Sequence, residues 1–195
     1  MPVSGSHVDF MTARRALPGA PNPSVNEFYG SFWQQAVTAP DQLRQRVKLA
    51  LSEIFVISVT DTHVDELGAA SFYDMLGANA FGNFRTLLEQ VTLHPMMGTY
   101  LTWLANQKED PTTGRHPDEN YAREVMQLMT IGVTKLNNDG TPQVDQTGAR
   151  IATYSAEDIT DLAKVFTGYS WYSPNPTNST FLGGNRDASA DLRSM

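Results

Sequence analysis

The chain has 195 residues, 41% of them hydrophobic, and it contains no cysteine. This length and composition are sufficient for one hydrophobic core, so a wholly disordered chain is excluded. The lack of cysteine excludes disulfides, thiolate zinc sites and cysteine nucleophiles. The formal net charge of −7 argues against a nucleic-acid partner, because binding phosphates requires a concentrated basic surface. The longest apolar run, Ile54 to Ile57, is far too short to span a membrane.

The first predicted elements are a leader and a pair of helices. Residues 1–22 contain several prolines and glycines and are predicted to be an irregular leader, without the apolar stretch of a signal peptide. A helical domain is predicted over residues 23–169. Its first helix begins at a capping box, Ser24 to Glu27. A second box, Thr38 to Asp41, predicts the start of the next helix, and the two helices are expected to form an antiparallel pair. The second helix has one apolar face: Leu43, Val47, Ala50, Leu51, Ile54 and Phe55.

Three shorter helices are predicted in the middle of the chain. The first, Val64 to Leu76, has a weak helical pattern and ends at Gly77. The second, Phe81 to Leu93, has a clearer apolar face, and the third begins at Pro95. A polar loop then leads to the next helix.

Residues 117–132 carry the clearest helix signals in the sequence. Pro117 suits the first helical position, and Gly132 suits a left-handed end. Polar residues occupy one stripe of this otherwise largely apolar helix: Asn120, Arg123, Glu124 and Gln127. We therefore predict that the stripe, together with Glu119, is buried and hydrogen-bonded as a polar network. If Glu124 pairs with Arg123 there, truncating either side chain would cost about 3 to 5 kcal/mol.

The last part of the domain changes character. Turn sequences at Asn138–Gly140 and Thr147–Gly148 predict a small β-hairpin between the last two helices, and no internal repeat is evident. A third capping box, Ser155 to Asp158, begins a helix that ends at Gly168. Residues 170–195 have little apolar content and are predicted to be an irregular tail. The predicted fold is mainly α, an irregular helical bundle with a small β-hairpin insertion.

A resemblance to a known family extends from Leu43 to Trp171. Five segments carry it in order: Arg46–Ser58, Ala80–Arg85, Val91–Met97, Pro117–Gly132 and Ala163–Gly168. Together they resemble the bacterial domain of unknown function 1800 family. The resemblance implies a fragment from the middle of a longer protein, so that the helical domain continues beyond this chain. It also implies a periplasmic or secreted protein with a partner related to sulfatases and phosphatases, but it implies no reaction.

A different set of polar residues would suit a metal. Glu53, Glu89 and Glu124 each lie in a mostly apolar stretch of a separate predicted helix, and His94 directly precedes the proline that begins a helix. A neutral imidazole is favoured at that positive helix end, and it can bind a metal. If the helices face one another, these four residues could hold a divalent metal ion in the core of the bundle. Gln127 stands where a di-iron bundle would have a histidine.

The sequence is therefore compatible with two functions of different classes. The first is an exported or envelope-associated structural or binding module whose polar stripe organises packing. The second is a metal-assisted hydrolase acting with a phosphatase-like or sulfatase-like neighbour. The aromatic residues Tyr169, Trp171 and Tyr172 would suit stacking on a sugar or a proline-rich peptide, although such residues more often attach a chain end to the core.

Overall fold

A computed structural model describes residues 5–19 and 24–183. In these residues the helices are α1 His7–Arg15, α2 Val25–Thr38, α3 Gln42–Ile54, α4 Glu66–Ala78, α5 Phe84–Thr92, α6 Pro95–Tyr100, α7 Asn120–Glu124, α8 Ala156–Val165 and α9 Asn178–Phe181. None of them is long and apolar enough to cross a membrane. The chain divides into two compact units: unit 1 is Met1–Tyr100 with Trp171–Met195, and unit 2 is Leu101–Ser170.

Helix α4 is the centre of unit 1, where it contacts α1, α2, α3, α5 and α6. Because it is covered on several sides, it is apolar around much of its circumference and lacks the single stripe that marks a surface helix. This explains its weak pattern in the sequence. Its glycines permit close contacts: a Cβ at Gly68 would lie 2.6 Å from Met96 Sδ, and a Cβ at Gly77 would lie 2.8 Å from Lys48 Cδ.

The predicted irregular leader is wrong over residues 7–15, which form α1. The hydroxyl of Ser6 accepts a hydrogen bond from the backbone N–H of Asp9 at 2.9 Å. The carboxylate of Asp74 on α4 accepts from the backbone N–H groups of His7 at 2.9 Å and Val8 at 3.1 Å. Helix α1 thus depends on a carboxylate that is distant in sequence, which local patterns cannot reveal. Residues 1–4 and 20–22 of the predicted leader lie outside the described residues.

The predicted α2 and α3 are confirmed, but their caps differ from the prediction. Helix α2 begins directly after Ser24, whose side chain makes no capping hydrogen bond. Thr38 is the last residue of α2, and its hydroxyl donates to the carbonyl of Gln34 at 2.7 Å. Asp41, not Thr38, is therefore the residue that precedes α3.

In unit 2 the predicted helix over residues 117–132 forms only in part. Helix α7 is followed at once by a π-helical turn, Val125–Met129. At its end the Thr130 hydroxyl donates to the carbonyl of Val125 at 2.6 Å. Gly132 has a φ of 69°, as predicted for a left-handed end, and its N–H donates to the carbonyl of Met126 at 2.9 Å. The wider turn replaces the last part of the expected α-helix.

The predicted β-hairpin insertion is wrong, because the described residues form only isolated antiparallel bridges and no strand. The N–H of Lys135 donates to the carbonyl of Ile151 at 2.9 Å, that of Ile151 to Gln143 at 3.0 Å, and that of Gln143 to Lys135 at 2.8 Å. Three segments at eight-residue spacing therefore close a triangle of hydrogen bonds. Since each segment changes partner after a single bridge, no two-stranded ladder can form. The turns use Gly140 and Gly148, both with a φ of 83°.

The core of unit 2 is aromatic. Trp103 and Tyr121 are fully buried, with ring centroids 5.5 Å apart. The ring of Phe166 lies 4.9 Å from Tyr121. The buried side chain of Asn106 donates to the carbonyl of Asp118 at 3.2 Å and accepts from its N–H at 2.9 Å. These contacts hold the loop before α7 against the rest of the unit.

The capping box at Ser155 is confirmed: its hydroxyl accepts from the N–H of Asp158, whose carboxylate accepts from the N–H of Ser155. Gly168 has a left-handed φ of 88° just after α8. The predicted irregular tail is wrong at α9, which has a capping box of its own at Thr177 and Thr180. Residues 184–195 of that tail lie outside the described residues.

Candidate functional site

The polar stripe of α7 lies at the surface. The Arg123 side chain is 47% exposed, and its Nη2 lies 3.2 Å from Glu119 Oε2. Asn120 and Gln127 are also exposed, and Glu124 is only half-buried. The prediction of a buried network is therefore wrong in its burial, while any role of these five residues in a site stays a prediction.

The reason lies in what covers the helix. Helix α7 contacts α8, and its buried residues Tyr121 and Ala122 face the core of unit 2. The π-helical turn buries Val125 but leaves Leu128 exposed. The polar stripe is thus the solvent face of an amphipathic helix. Glu119, which directly precedes the helix, also accepts from the Thr160 hydroxyl at 2.8 Å.

The residues predicted to bind a metal differ in their exposure to solvent. In unit 1, Glu53 and Glu89 are exposed, whereas His94 is buried. His94 accepts a hydrogen bond at Nδ1 from the N–H of Met96 at 3.2 Å, and its ring meets that of Phe72 at 5.1 Å. Burial lowers the pKa of His94 to about 4, so the imidazole is neutral, as predicted. Within the described ranges, no three His, Asp or Glu side chains are grouped as metal ligands.

Unit 1 instead contains a buried polar cluster that the sequence analysis missed. It consists of His7, Ser31, Gln35, Lys48 and Asp74, contributed by α1, α2, α3 and α4. His7 Nδ1 lies 2.6 Å from Ser31 Oγ, and His7 Nε2 lies 2.8 Å from Lys48 Nζ. Lys48 also donates to Gln35 Oε1 at 3.3 Å. His7 and Ser31 have no exposed surface, and Lys48 is only 4% exposed.

Burial sets the protonation of this cluster. It lowers the pKa of Lys48 to about 8, although Asp74 and Asp41 partly offset this. Burial and then the charge of Lys48 lower the pKa of His7 to about 3. At neutral pH Lys48 is therefore an ammonium and His7 a neutral imidazole. Because an ammonium can only donate, Nε2 of His7 must accept, which assigns the ring hydrogen to Nδ1, from where it is donated to Ser31 Oγ.

The cluster explains why helix α3 buries polar side chains while several of its apolar side chains are exposed. Helix α3 buries Asp41 at its N-terminus, then Gln45 and Lys48, all polar. Its apolar side chains Leu43 and Leu49 are exposed. Of the predicted apolar face of α3, Phe55 is buried and Val47 and Leu51 are half-buried, whereas Leu43 and Ile54 are exposed. The one available signal was the spacing of these polar residues at four and three positions, a helical stripe like that of α7.

A pocket of about 320 Å³ lies beside this cluster in unit 1. Its lining is mostly aromatic and aliphatic: Phe28, Tyr29, Phe32, Trp33, Leu49, Ser52, Phe55, Ile57, Val59, Ala69, Phe72 and Tyr73. Lys48 Nζ lies 4.7 Å from the centroid of the Tyr73 ring, and the His7 ring lies 5.2 Å from it. One wall of the aromatic pocket is therefore backed by the polar cluster.

Comparison with known families identifies the group to which this chain belongs. The model of the family described as "Protein of unknown function (DUF1800)" matches residues 6–191, nearly the whole chain. The chain belongs to the DUF1800 family. This membership confirms the resemblance found in the five sequence segments, and it assigns no activity. Comparisons of the DUF1800 chain with curated proteins and with solved structures gave no match.

Proposed function

We propose that this DUF1800 chain is a binding module, and that its docking surface is the outward apolar face of α2 and α3. The observation that carries the proposal is that α3 buries polar residues while several of its apolar residues are exposed. A helix that packs only within its own domain turns its apolar face inward. Helix α3 turns Lys48 inward and leaves Leu43 and Ile54 in solvent. A partner that covers this face would remove that apolar surface from water, which is worth roughly 25 cal/mol per Å².

The neighbouring helix extends the same surface. Tyr29, Trp33 and Val37 of α2 are all exposed and follow one another at four-residue spacing, on one side of the helix. Trp33 is 64% exposed although it is one of the largest apolar side chains of the unit. Exposed apolar surface of this kind is typical of interaction sites, and tryptophan and tyrosine are frequent contributors to binding energy.

The shape of the surface favours a polypeptide partner. Trp33 and Leu49 line the pocket and are exposed, so part of its lining is apolar surface that solvent reaches. From Leu43 to Ile54 the exposed apolar positions of α3 extend over roughly 16 Å of helix, at 1.5 Å per residue. This is longer than a small ligand in the pocket would cover. An apolar segment of another protein, with one aromatic or branched side chain in the pocket, would cover both the pocket and the face.

The family resemblance supports a location and a partner. It favours a role in the bacterial envelope, with export from the cytoplasm, and a partner of the sulfatase-like or phosphatase-like kind encoded beside members of the family. Fractionation of the native bacterium into cytoplasm and periplasm would test the location. The protein should be recovered with a periplasmic marker enzyme, and recovery with the cytoplasm alone would contradict this part of the proposal.

The docking surface is tested by co-purification. The native protein is tagged, and the amount of the neighbouring sulfatase-like or phosphatase-like protein that is recovered with it is quantified. We expect Leu49→Asp to lower the recovery at least fivefold, because a charge would be placed on the exposed lining of the pocket. Leu128→Asp in unit 2 is the matched control, since it places the same charge at another exposed leucine. Equal recovery with both variants would contradict the proposal.

The metal-assisted hydrolase has no comparable support among the described residues, where Glu53 and Glu89 are exposed and His94 contacts Phe72 and Met96.

A further inference from the structure

The contact between His7 and Lys48 is an uncommon way to attach a helix. Two side chains that can each carry a positive charge meet at 2.8 Å, and the contact is a hydrogen bond only while one of them is neutral. At neutral pH, Lys48 carries the charge and His7 is neutral. The ring of His7 also connects α1 with two other helices, because it meets Ser31 of α2 and Tyr73 of α4.

We infer that this contact is a proton-controlled latch: protonation of His7 releases helix α1 from α2, α3 and α4. A second proton on the imidazole would sit on Nε2 and point at the Lys48 ammonium. The hydrogen bond would be lost, and two positive charges would face each other at hydrogen-bonding distance in a buried site. Moving α1 away removes this repulsion and lets water solvate the His7 imidazolium, because His7 is then distant from the Lys48 ammonium.

The cluster is close to a route for solvent. A cavity of about 450 Å³ between α1 and α2 is lined by Ser6, Asp9, Ser31 and Gln35, among other residues. Ser31 and Gln35 are the direct neighbours of His7 and Lys48. Ser31 and Gln35 therefore belong both to the cluster and to the lining of the cavity.

The other charged groups around α1 are distributed over each neighbouring helix. Within α1, Asp9 lies on the exposed side, and Arg14 pairs with Glu27 of α2 at 3.4 Å. Helix α3 contributes Lys48 and Arg44, and Asp41 directly precedes it. Helix α4 contributes Asp74, which binds the N-terminal amides of α1.

The direction of the pH effect follows from these groups. His7 has a pKa of about 3 when α1 is docked and an ordinary value near 6.5 when it is released, so release takes up a proton. Acidification below about pH 6.5 therefore favours the released helix. Burial raises the pKa of Asp74 in the docked state, and this opposes the effect of His7 at the acidic end. The effect of His7 protonation on the release of α1 is therefore clearest between pH 6.5 and pH 5.

Hydrogen exchange of the α1 amides tests the inference without any ligand, so its failure is distinct from failure of the proposed docking surface. Exchange is measured from pH 7 to pH 5 and corrected for the intrinsic exchange rate at each pH. We expect the equilibrium constant for opening of α1 to increase as the pH falls below 6.5. The increase should be at most about tenfold per pH unit, because release takes up one proton. Amides of α8 in unit 2 are the internal control and should not change in parallel.

The decisive variant is His7→Gln, in which a neutral amide can still accept from Lys48 and donate to Ser31. The pH dependence of α1 opening should disappear in this variant. A variant with the wild-type slope, or a wild-type protein with no slope over this range, would overturn the inference. If His7→Gln does not fold, nitrogen NMR of His7 in the wild-type protein decides instead. A neutral ring with its hydrogen on Nδ1 at pH 6 is expected, and an imidazolium in a docked α1 at pH 5 would refute the latch.

Discussion

The two units treat the polar residues of their helices in opposite ways. In unit 1, Lys48 of α3 is buried among His7, Gln35 and the Tyr73 ring. In unit 2, Arg123 of α7 is about half exposed and pairs with Glu119 at the surface. Both helices carry a polar stripe at helical spacing, so the stripe by itself does not show which face is buried. The neighbouring helices decide this, because they either supply hydrogen-bond partners or leave the face to water.

The largest expected effect comes from Asp74→Ala in unit 1. The substitution removes the carboxylate that accepts from the N–H groups of His7 and Val8, and it removes a negative charge near Lys48. We expect the free energy of unfolding at pH 7 to fall by about 3 kcal/mol. Urea unfolding would measure it. Asp161→Ala is the control, because Asp161 pairs with Lys164 on the exposed side of α8, and a loss as large as that of Asp74→Ala would contradict the comparison.

The next largest effect is expected in unit 2, from the buried side-chain amide of Asn106. Asn106→Ala leaves both the N–H and the carbonyl of Asp118 without their present partner. The expected loss in the free energy of unfolding is about 2 kcal/mol. The exposed Asn120 is the matched position, and Asn120→Ala should cost much less. If the two substitutions cost the same in chemical denaturation, the buried amide is not the stabilising group that its geometry indicates.

A pH titration of stability separates the two units without a mutation in unit 2. The pKa of Lys48 is about 8 in the folded chain and near 10.5 when unfolded, so the unfolded chain binds more protons between these values. The free energy of unfolding should therefore rise from pH 8 to 9.5, by up to about 1.4 kcal/mol per pH unit. Lys48→Met should abolish the rise. An unchanged rise in that variant would show that another group is responsible.

The smallest effect is expected from the polar stripe of α7. Arg123→Ala breaks a surface ion pair, and we expect a loss below about 1 kcal/mol that decreases further in high salt. Glu124→Ala should be similarly mild, because Glu124 is only half-buried. This replaces the loss of several kcal/mol that the sequence predicted. A sharp drop in melting temperature for either variant would restore the idea of a structural network.

The same comparison shows which parts of the fold could be predicted. Helices α2, α3 and α8 follow from periodic apolar residues and caps within a few positions, as at Ser155, and Gly132 ends its helix as expected. Helix α1 was missed because its amides bind Asp74, far away in the sequence. The predicted hairpin was wrong although the turns at Gly140 and Gly148 are present. Turns are visible in the local sequence, but it does not show that each segment changes its bridging partner after one bridge.

The candidate site was less predictable than the helices. The sequence placed it on residues 119–127, and the structure shows a buried cluster around His7 and Lys48, next to an aromatic pocket. No local signal joins these two residues, because they lie on different helices that α4 brings together.

The sequence by itself determined the mainly helical class, most helix positions and membership of the DUF1800 family. These depend on local spacing and on the residues themselves. Only the tertiary structure decided which face each helix buries. Helix α3 turns Lys48 inward because α1 and α2 offer His7 and Gln35 as partners there, and hydrogen bonds reduce the cost of burying a polar group. In helix α7, Arg123 pairs with Glu119, four residues earlier, and its side chain stays about half exposed.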